Sequence, residues 1–147
     1  MSIWFHELSN DVLGQLGGGI DKHLGVEFTE IGPDYIRGTM PVDERTKQPY
    51  GLLHGGANVV LAESLGSIGA SFTVDPEKFF TVGVEINANH IRSATEGHVT
   101  GTARPINIGR TLQVWGIEIV NHEGKLSCIC RLTAAVRERK ETSRISK

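Results

Sequence analysis

His54-Gly55-Gly56-Ala57-Asn58-Val59-Val60-Leu61-Ala62-Glu63-Ser64-Leu65-Gly66-Ser67-Ile68-Gly69-Ala70-Ser71-Phe72 is an apolar run that holds one ionisable side chain, Glu63, from Ala57 onward. Small residues at Ala57, Ala62, Gly66, Gly69 and Ala70 let a sheet or another helix approach closely. The run lacks the charged stripe of a surface helix, so it predicts a helix wrapped by protein on most sides. Burying a lone carboxylate there costs several kcal/mol unless something pairs with it or uses it. Glu63 therefore reads in one of two ways. It is a functional group, or it bonds to a neighbouring backbone or hydroxyl group, or to a wet seam between elements.

Around this helix the chain alternates in the manner of strands. Leu24–Ile31 and Tyr35–Val42 flank Gly32-Pro33-Asp34, a hairpin signal. Asp43–Leu53 has neither period and contains Pro49 and Gly51, which predicts a loop ahead of the helix; the helix itself should end near Asp75-Pro76. Four strand-like stretches follow, at Phe79–Arg92, Gly97–Ile106, Leu112–Asn121 and Leu126–Val136, with turns at Thr95-Glu96-Gly97, Asn107-Ile108-Gly109 and His122-Glu123-Gly124. Before the hairpin, Phe5–Leu16 carries a weak helical period, capped at Ser9-Asn10-Asp11 and closed by Gly17-Gly18-Gly19. The pattern is α+β, an antiparallel sheet curled around one long helix.

With 147 residues the chain suits a single domain. We place it at residues 1–137, followed by a charged, frayed tail at 138–147. Fifteen basic and 17 acidic side chains nearly cancel, so no field favours nucleic acid or a membrane surface. The first residues carry no basic region ahead of a long apolar run, and the central helix is interrupted by Glu63, so a cytoplasmic protein is expected. Cys128 and Cys130, two apart on a strand, point to one face and fit core packing better than a disulfide or a zinc site.

The chemistry-bearing residues cluster at the helix. Glycines just before a helix expose free N–H groups at its positive end, suited to a carbonyl oxygen or an anion; Gly55-Gly56 has that placement, though a turn needing unusual backbone angles fits it equally. Gln48 and His54 flank the helix entrance. Gln48 can donate to a carbonyl or stay solvated, and His54 can cap, donate, or protonate a leaving group. Ser67 shares a face with Glu63 and either orients a water or bonds back to its own helix. Arg92 and Arg110 can meet phosphates, or stand as surface charges. No His-x₃-His, Cys/His or Gly-x-Ser-x-Gly spacing supports a metal site or a serine hydrolase. Eight residues of helix span about 12 Å, so Gly55 and Glu63 of one chain cannot both touch one carbonyl. If both act, two chains with antiparallel helices must supply them.

Pro41–Gly56, with Gln48-Pro49-Tyr50-Gly51-Leu52-Leu53-His54-Gly55-Gly56 at its heart, then Leu61–Ser67, Val84-Glu85-Ile86-Asn87-Ala88-Asn89-His90 and Gln113-Val114-Trp115 resemble the hot-dog-fold acyl-CoA thioesterases. The nearest branch acts on 1,4-dihydroxy-2-naphthoyl-CoA in menaquinone synthesis or proofreads enterobactin synthesis. The resemblance covers roughly Trp4–Val136. It implies a dimer with active sites at its interface, usually paired into a tetramer, and no cofactor besides the CoA thioester substrate. It implies Glu63 as nucleophile or general base, Gly55 N–H polarising the carbonyl, Gln48 and His54 assisting, and Ser67 supporting the water. Gly83, His90, Ile91, Arg92, Ser93, Asn107, Ile108, Gly109, Arg110, Thr111 and Leu112 match segments that border the CoA moiety. Two readings outside this one stay open: a substrate held on an acyl or aryl carrier protein, and a hot-dog protein that binds acyl-CoA without turning it over.

Overall fold

A computed structural model describes residues 1–140. It has six strands, β1 (Glu27–Ile31), β2 (Ile36–Pro41), β3 (Phe79–His90), β4 (His98–Ile108), β5 (Leu112–Val120) and β6 (Leu126–Glu138), and two helices, α1 (Ile20–Leu24) and α2 (Gly55–Phe72). The sheet is antiparallel throughout, in the order β1-β2-β4-β5-β6-β3. The helix α2 packs against β2, β3, β4, β5 and β6, so the sheet wraps it as the alternation implied.

The missing side chains on both elements explain how closely they pack. A Cβ on Gly69 would lie 2.8 Å from Trp115 Cζ3, and one on Gly66 would lie 2.7 Å from Leu132 Cδ2. From the sheet side, a Cβ on Gly101 would lie 2.7 Å from Leu65 Cδ1. Large side chains of each layer thus fill the gaps left by glycines of the other, as dense interior packing requires. Trp115 is wholly buried, stacks on Trp4 with ring centroids 6.3 Å apart, and donates its N–H to Gln113 Oε1 at 2.9 Å. Gln113 in turn donates to Thr73 Oγ1 (2.8 Å), which donates to Ala70 O (2.8 Å). This buried polar chain is satisfied at every step and ties β5 to the C-terminal end of α2.

Several boundaries differ from expectation. Leu24 closes α1 rather than opening a strand, and the expected Phe5–Leu16 helix is a 3₁₀ turn at Asn10–Gln15, capped by Ser9. The helix α1 is held by tertiary contact: buried Asp21 accepts from Ser64 Oγ on α2 at 2.6 Å. The central helix stops at Phe72, before Asp75-Pro76. The strand β4 continues through Asn107-Ile108 past an irregularity between Pro105 and Asn107, which moves the turn to Gly109–Thr111. The strand β6 runs to Glu138, and Arg139 N–H bonds to Lys78 O. The sheet therefore takes up Glu138, the first residue of the expected tail, and residues 141–147 lie outside the described part. Cys128 and Cys130 are buried free thiols, their sulfurs 3.6 Å apart on one face of β6.

Candidate active site

Among the described residues the strand β3 forms one edge of the sheet and pairs only with β6. Its partly apolar outer stretch is open, with Val82 42% and Val84 61% exposed. Along this edge the candidate residues fall into two groups. Gly83 lies against Glu63: a Cβ there would stand 2.5 Å from Glu63 Oε1. Ser67 Oγ donates to the same oxygen at 3.4 Å. Because β3 is an open edge, Glu63 is half-buried rather than enclosed.

At the other end of β3, His90 lies over the start of α2, and a Cβ on Gly55 would be 2.7 Å from His90 Nε2. On its far side the ring meets Cys128, with Sγ 3.6 Å from His90 Nδ1. The Cys130 thiol beside Cys128 holds the Cys128 thiol below its usual range, and the same bond together with burial pushes Cys130 up.

His54 is the N-cap of α2; its Nδ1 accepts from Gly56 N–H at 2.8 Å, which leaves Nε2 free. Gly55 N–H has no acceptor among the described residues. Gln48 is fixed by its loop: its N–H donates to Leu52 O (2.8 Å) and its Oε1 accepts from Tyr50 N–H, leaving the amide nitrogen to donate. Gln48, Gly55, Asn58, His90 and Arg92 line one groove of about 270 Å³.

The expected CoA-bordering residues divide in the same way. His90, Ile91, Arg92 and Ser93 belong to the groove beside Gly55. Asn107–Leu112 lies at the opposite end of the sheet, where Leu112 and Gln113 face Ala135 and Ala134, the latter being the register partner of Gly83. At about 3.3 Å per residue, Gly83 and His90 are roughly 20 Å apart along β3. One chain thus keeps Glu63, Ser67 and Gly83 together, and Gln48, Gly55 and His90 together, but separates the two groups; His54, which caps the same helix end, lines a different hollow with Leu24, Arg45 and Lys47.

Among the described residues no group of three His, Cys, Asp or Glu is arranged to hold a metal, and no helix is long and apolar enough to cross a membrane. A hollow of about 460 Å³ lies on the outer sheet face around Gly116, between Arg104 and Arg131, and contains none of these candidate residues. Leu52, Leu53, Asn58, Ala94 and Ser127 also line the groove and carry no signal in the sequence reading, except that Asn58 is a polar side chain within the apolar run, three residues past Gly55.

Comparison with known proteins shows the family. Residues 50–128 match the model of the thioesterase superfamily. The chain is 49% identical over 135 residues to 1,4-dihydroxy-2-naphthoyl-CoA hydrolase of Escherichia coli, covering 91% of this chain and 98% of that one. It is 42% identical over 135 residues to a proofreading thioesterase of Cronobacter turicensis, with the same coverage. A solved thioesterase from Haemophilus influenzae superposes with a TM-score of 0.89 at 42% identity, covering 97% of this chain and 99% of that chain.

Proposed function

Because this chain belongs to the thioesterase superfamily, has its hot-dog fold and is a thioester hydrolase, we propose that it hydrolyses aromatic acyl-CoA thioesters, with 1,4-dihydroxy-2-naphthoyl-CoA as the physiological substrate. The observation that carries this reading is the Glu63 carboxylate held between Ser67 Oγ and Gly83 on a helix whose first N–H, at Gly55, is free. Thioester hydrolysis needs an attacking oxygen and donors for the developing oxyanion, and these groups can supply both.

Both half-sites lie on the open edge of β3, and an edge of this length calls for cover. In our reading a second copy covers it, its β3 pairing antiparallel across a two-fold axis. A register that sets Gly83 opposite the partner's His90 brings Glu63 beside the partner's Gly55, and it reunites Asn107–Leu112 with the partner's His90. The homodimer then carries two equivalent sites. Two such dimers forming a tetramer is the further expectation, checked by solution mass.

In this arrangement the thioester carbonyl accepts from the partner's Gly55 N–H, at the positive end of α2, where negative charge gathers in the transition state. The partner's Gln48 gives a second donor. Glu63, steadied by the Ser67 hydroxyl, attacks the carbonyl carbon itself or takes the proton of an attacking water. The thiolate leaves and takes up a proton, which in our reading comes from the partner's His54 through Nε2, since Nδ1 accepts from Gly56 N–H at the cap. In the first case water then opens the Glu63–acyl anhydride; a single turnover in ¹⁸O-labelled water that puts label into the protein shows this route, with water adding at the Glu63 carbon, because general-base action labels only the released acid.

The similarity to a proofreading thioesterase supports a second reading of the same chemistry, with the aryl group carried on a protein-bound pantetheine arm. Rates on 1,4-dihydroxy-2-naphthoyl-CoA, benzoyl-CoA and a benzoyl-loaded carrier domain rank the two. Tight CoA binding without release of free thiol from any thioester would sink both in favour of a binding protein.

A further inference from the structure

The groove at the start of α2 contains a polar atom with nothing to bond. Asn58 is 4% exposed, and its Oδ1 has no hydrogen-bond partner among the described residues. Buried acceptors are almost always paired, because leaving one unpaired forfeits its hydration without return. Packing does not require an amide here, since neighbouring positions of the same helix are filled by alanine, valine and glycine. The orphan therefore points to a donor that arrives from outside.

Its position limits what that donor is. Asn58 follows Gly55 by three residues, about 4.5 Å along the helix, on an adjoining face. Both line the groove of about 270 Å³ with His90 and Arg92. A free donor at Gly55 beside a free acceptor at Asn58 matches a ligand that presents a carbonyl oxygen and, a few Å away, an N–H. An acyl-pantetheine thioester has that pair: its first amide N–H lies one short ethylene bridge beyond the sulfur. A simple alkyl thioester lacks it.

We infer that Asn58 Oδ1 accepts a hydrogen bond from the first amide N–H of the pantetheine arm, in the groove where Gly55 N–H meets the thioester carbonyl. Asn58 is then a specificity-determining residue that selects pantetheine-linked thioesters, whether the arm belongs to CoA or to a carrier protein. The inference rests on the thioesterase reading above.

Two matched thioesters test it: S-benzoyl-pantetheine, and its isostere with the first amide N–H replaced by oxygen. Each is followed as a substrate and as a competitive inhibitor of benzoyl-CoA hydrolysis, so slow turnover does not hide binding. The wild-type protein should favour the amide by about tenfold, the scale of one well-made hydrogen bond. Asn58→Ala should remove that preference by raising KM for the amide while leaving the isostere unchanged, and Asn58→Asp, which keeps an acceptor, should retain it. Thermal melting confirms that each variant is folded, and the wild-type comparison stands without any variant. Equal handling of both thioesters by the wild type overturns the inference, as does a preference that survives Asn58→Ala. Benzoyl-CoA hydrolysis is its independent control: its loss overturns the thioesterase reading itself.

Discussion

Gly83 of β3 is the surface on which the Glu63 carboxylate lies, with only 2.5 Å between Glu63 Oε1 and the point where a Gly83 Cβ would stand. A methyl group there must push the carboxylate aside. The strand itself accepts alanine at least as well as glycine, because glycine costs a strand both entropy and packing. Gly83→Ala should therefore keep the melting temperature while lowering kcat by about 10²-fold, the effect of displacing a reacting group by roughly 1 Å. Steady-state kinetics on benzoyl-CoA alongside a melt decide it; unchanged kcat would show that Glu63 is not where the chemistry happens.

Glu63→Gln keeps the shape and removes the charge. We expect kcat to fall by at least about 10²-fold, the low end for a positioned base. The fold should be retained, since Ser67 Oγ, 3.4 Å from Glu63 Oε1, can bond an amide oxygen as well. Turnover close to wild type would make Glu63 a structural residue.

Complementation between inactive chains tests the shared site. Gly55→Pro removes the N–H at the first helical position, where proline's fixed φ is tolerated, although the His90 ring must turn away from the added atoms. Mixed with Glu63→Ala chains, it should yield dimers in which one of the two sites is wild type at both positions, and activity should return. Mass measurement first establishes that both variants assemble and exchange. Mixed dimers no more active than their parents would exclude the two-chain site.

Ser64→Ala tests the attachment of α1. It strips the buried Asp21 carboxylate of the hydroxyl that bonds it at 2.6 Å, a loss of about 1–3 kcal/mol for a buried acceptor. Chemical denaturation should show that drop with kcat/KM preserved, because Ser64 bonds α1 while Glu63 faces β3. A fall in kcat without a fall in stability would place Ser64 in the site.

The elements that could be read from sequence were those whose signals are local. The helix run from His54, the alternation of the strands and the glycine turns fixed most boundaries to within a few residues, since periodicity and turn chemistry act over short spans. The helix α1 escaped because Ile20–Leu24 is under two turns long and shows no period; Asp21 and Ser64, far apart in sequence, hold it in place. Strand order is likewise a long-range property, so nothing marked β3 as the edge, and Glu63 was expected to be enclosed. Gly55, Gln48 and His54 were legible because they sit beside one another at a helix start. The contact of His90 with Gly55, and the empty acceptor of Asn58, depend on how the end of β3 is laid over that start.

The two ends of β3 have a consequence for the protein in dilute solution. With Glu63 and Gly55 set apart along it, the shared site proposed above would leave a newly made chain catalytically silent until it meets a second copy. Specific activity would then rise with enzyme concentration instead of staying constant, half-maximal at the dissociation constant of the dimer. The cell would hold a hydrolase whose output follows the square of its abundance when scarce and turns linear only when plentiful, so that in the scarce regime halving its expression would cut its output about fourfold.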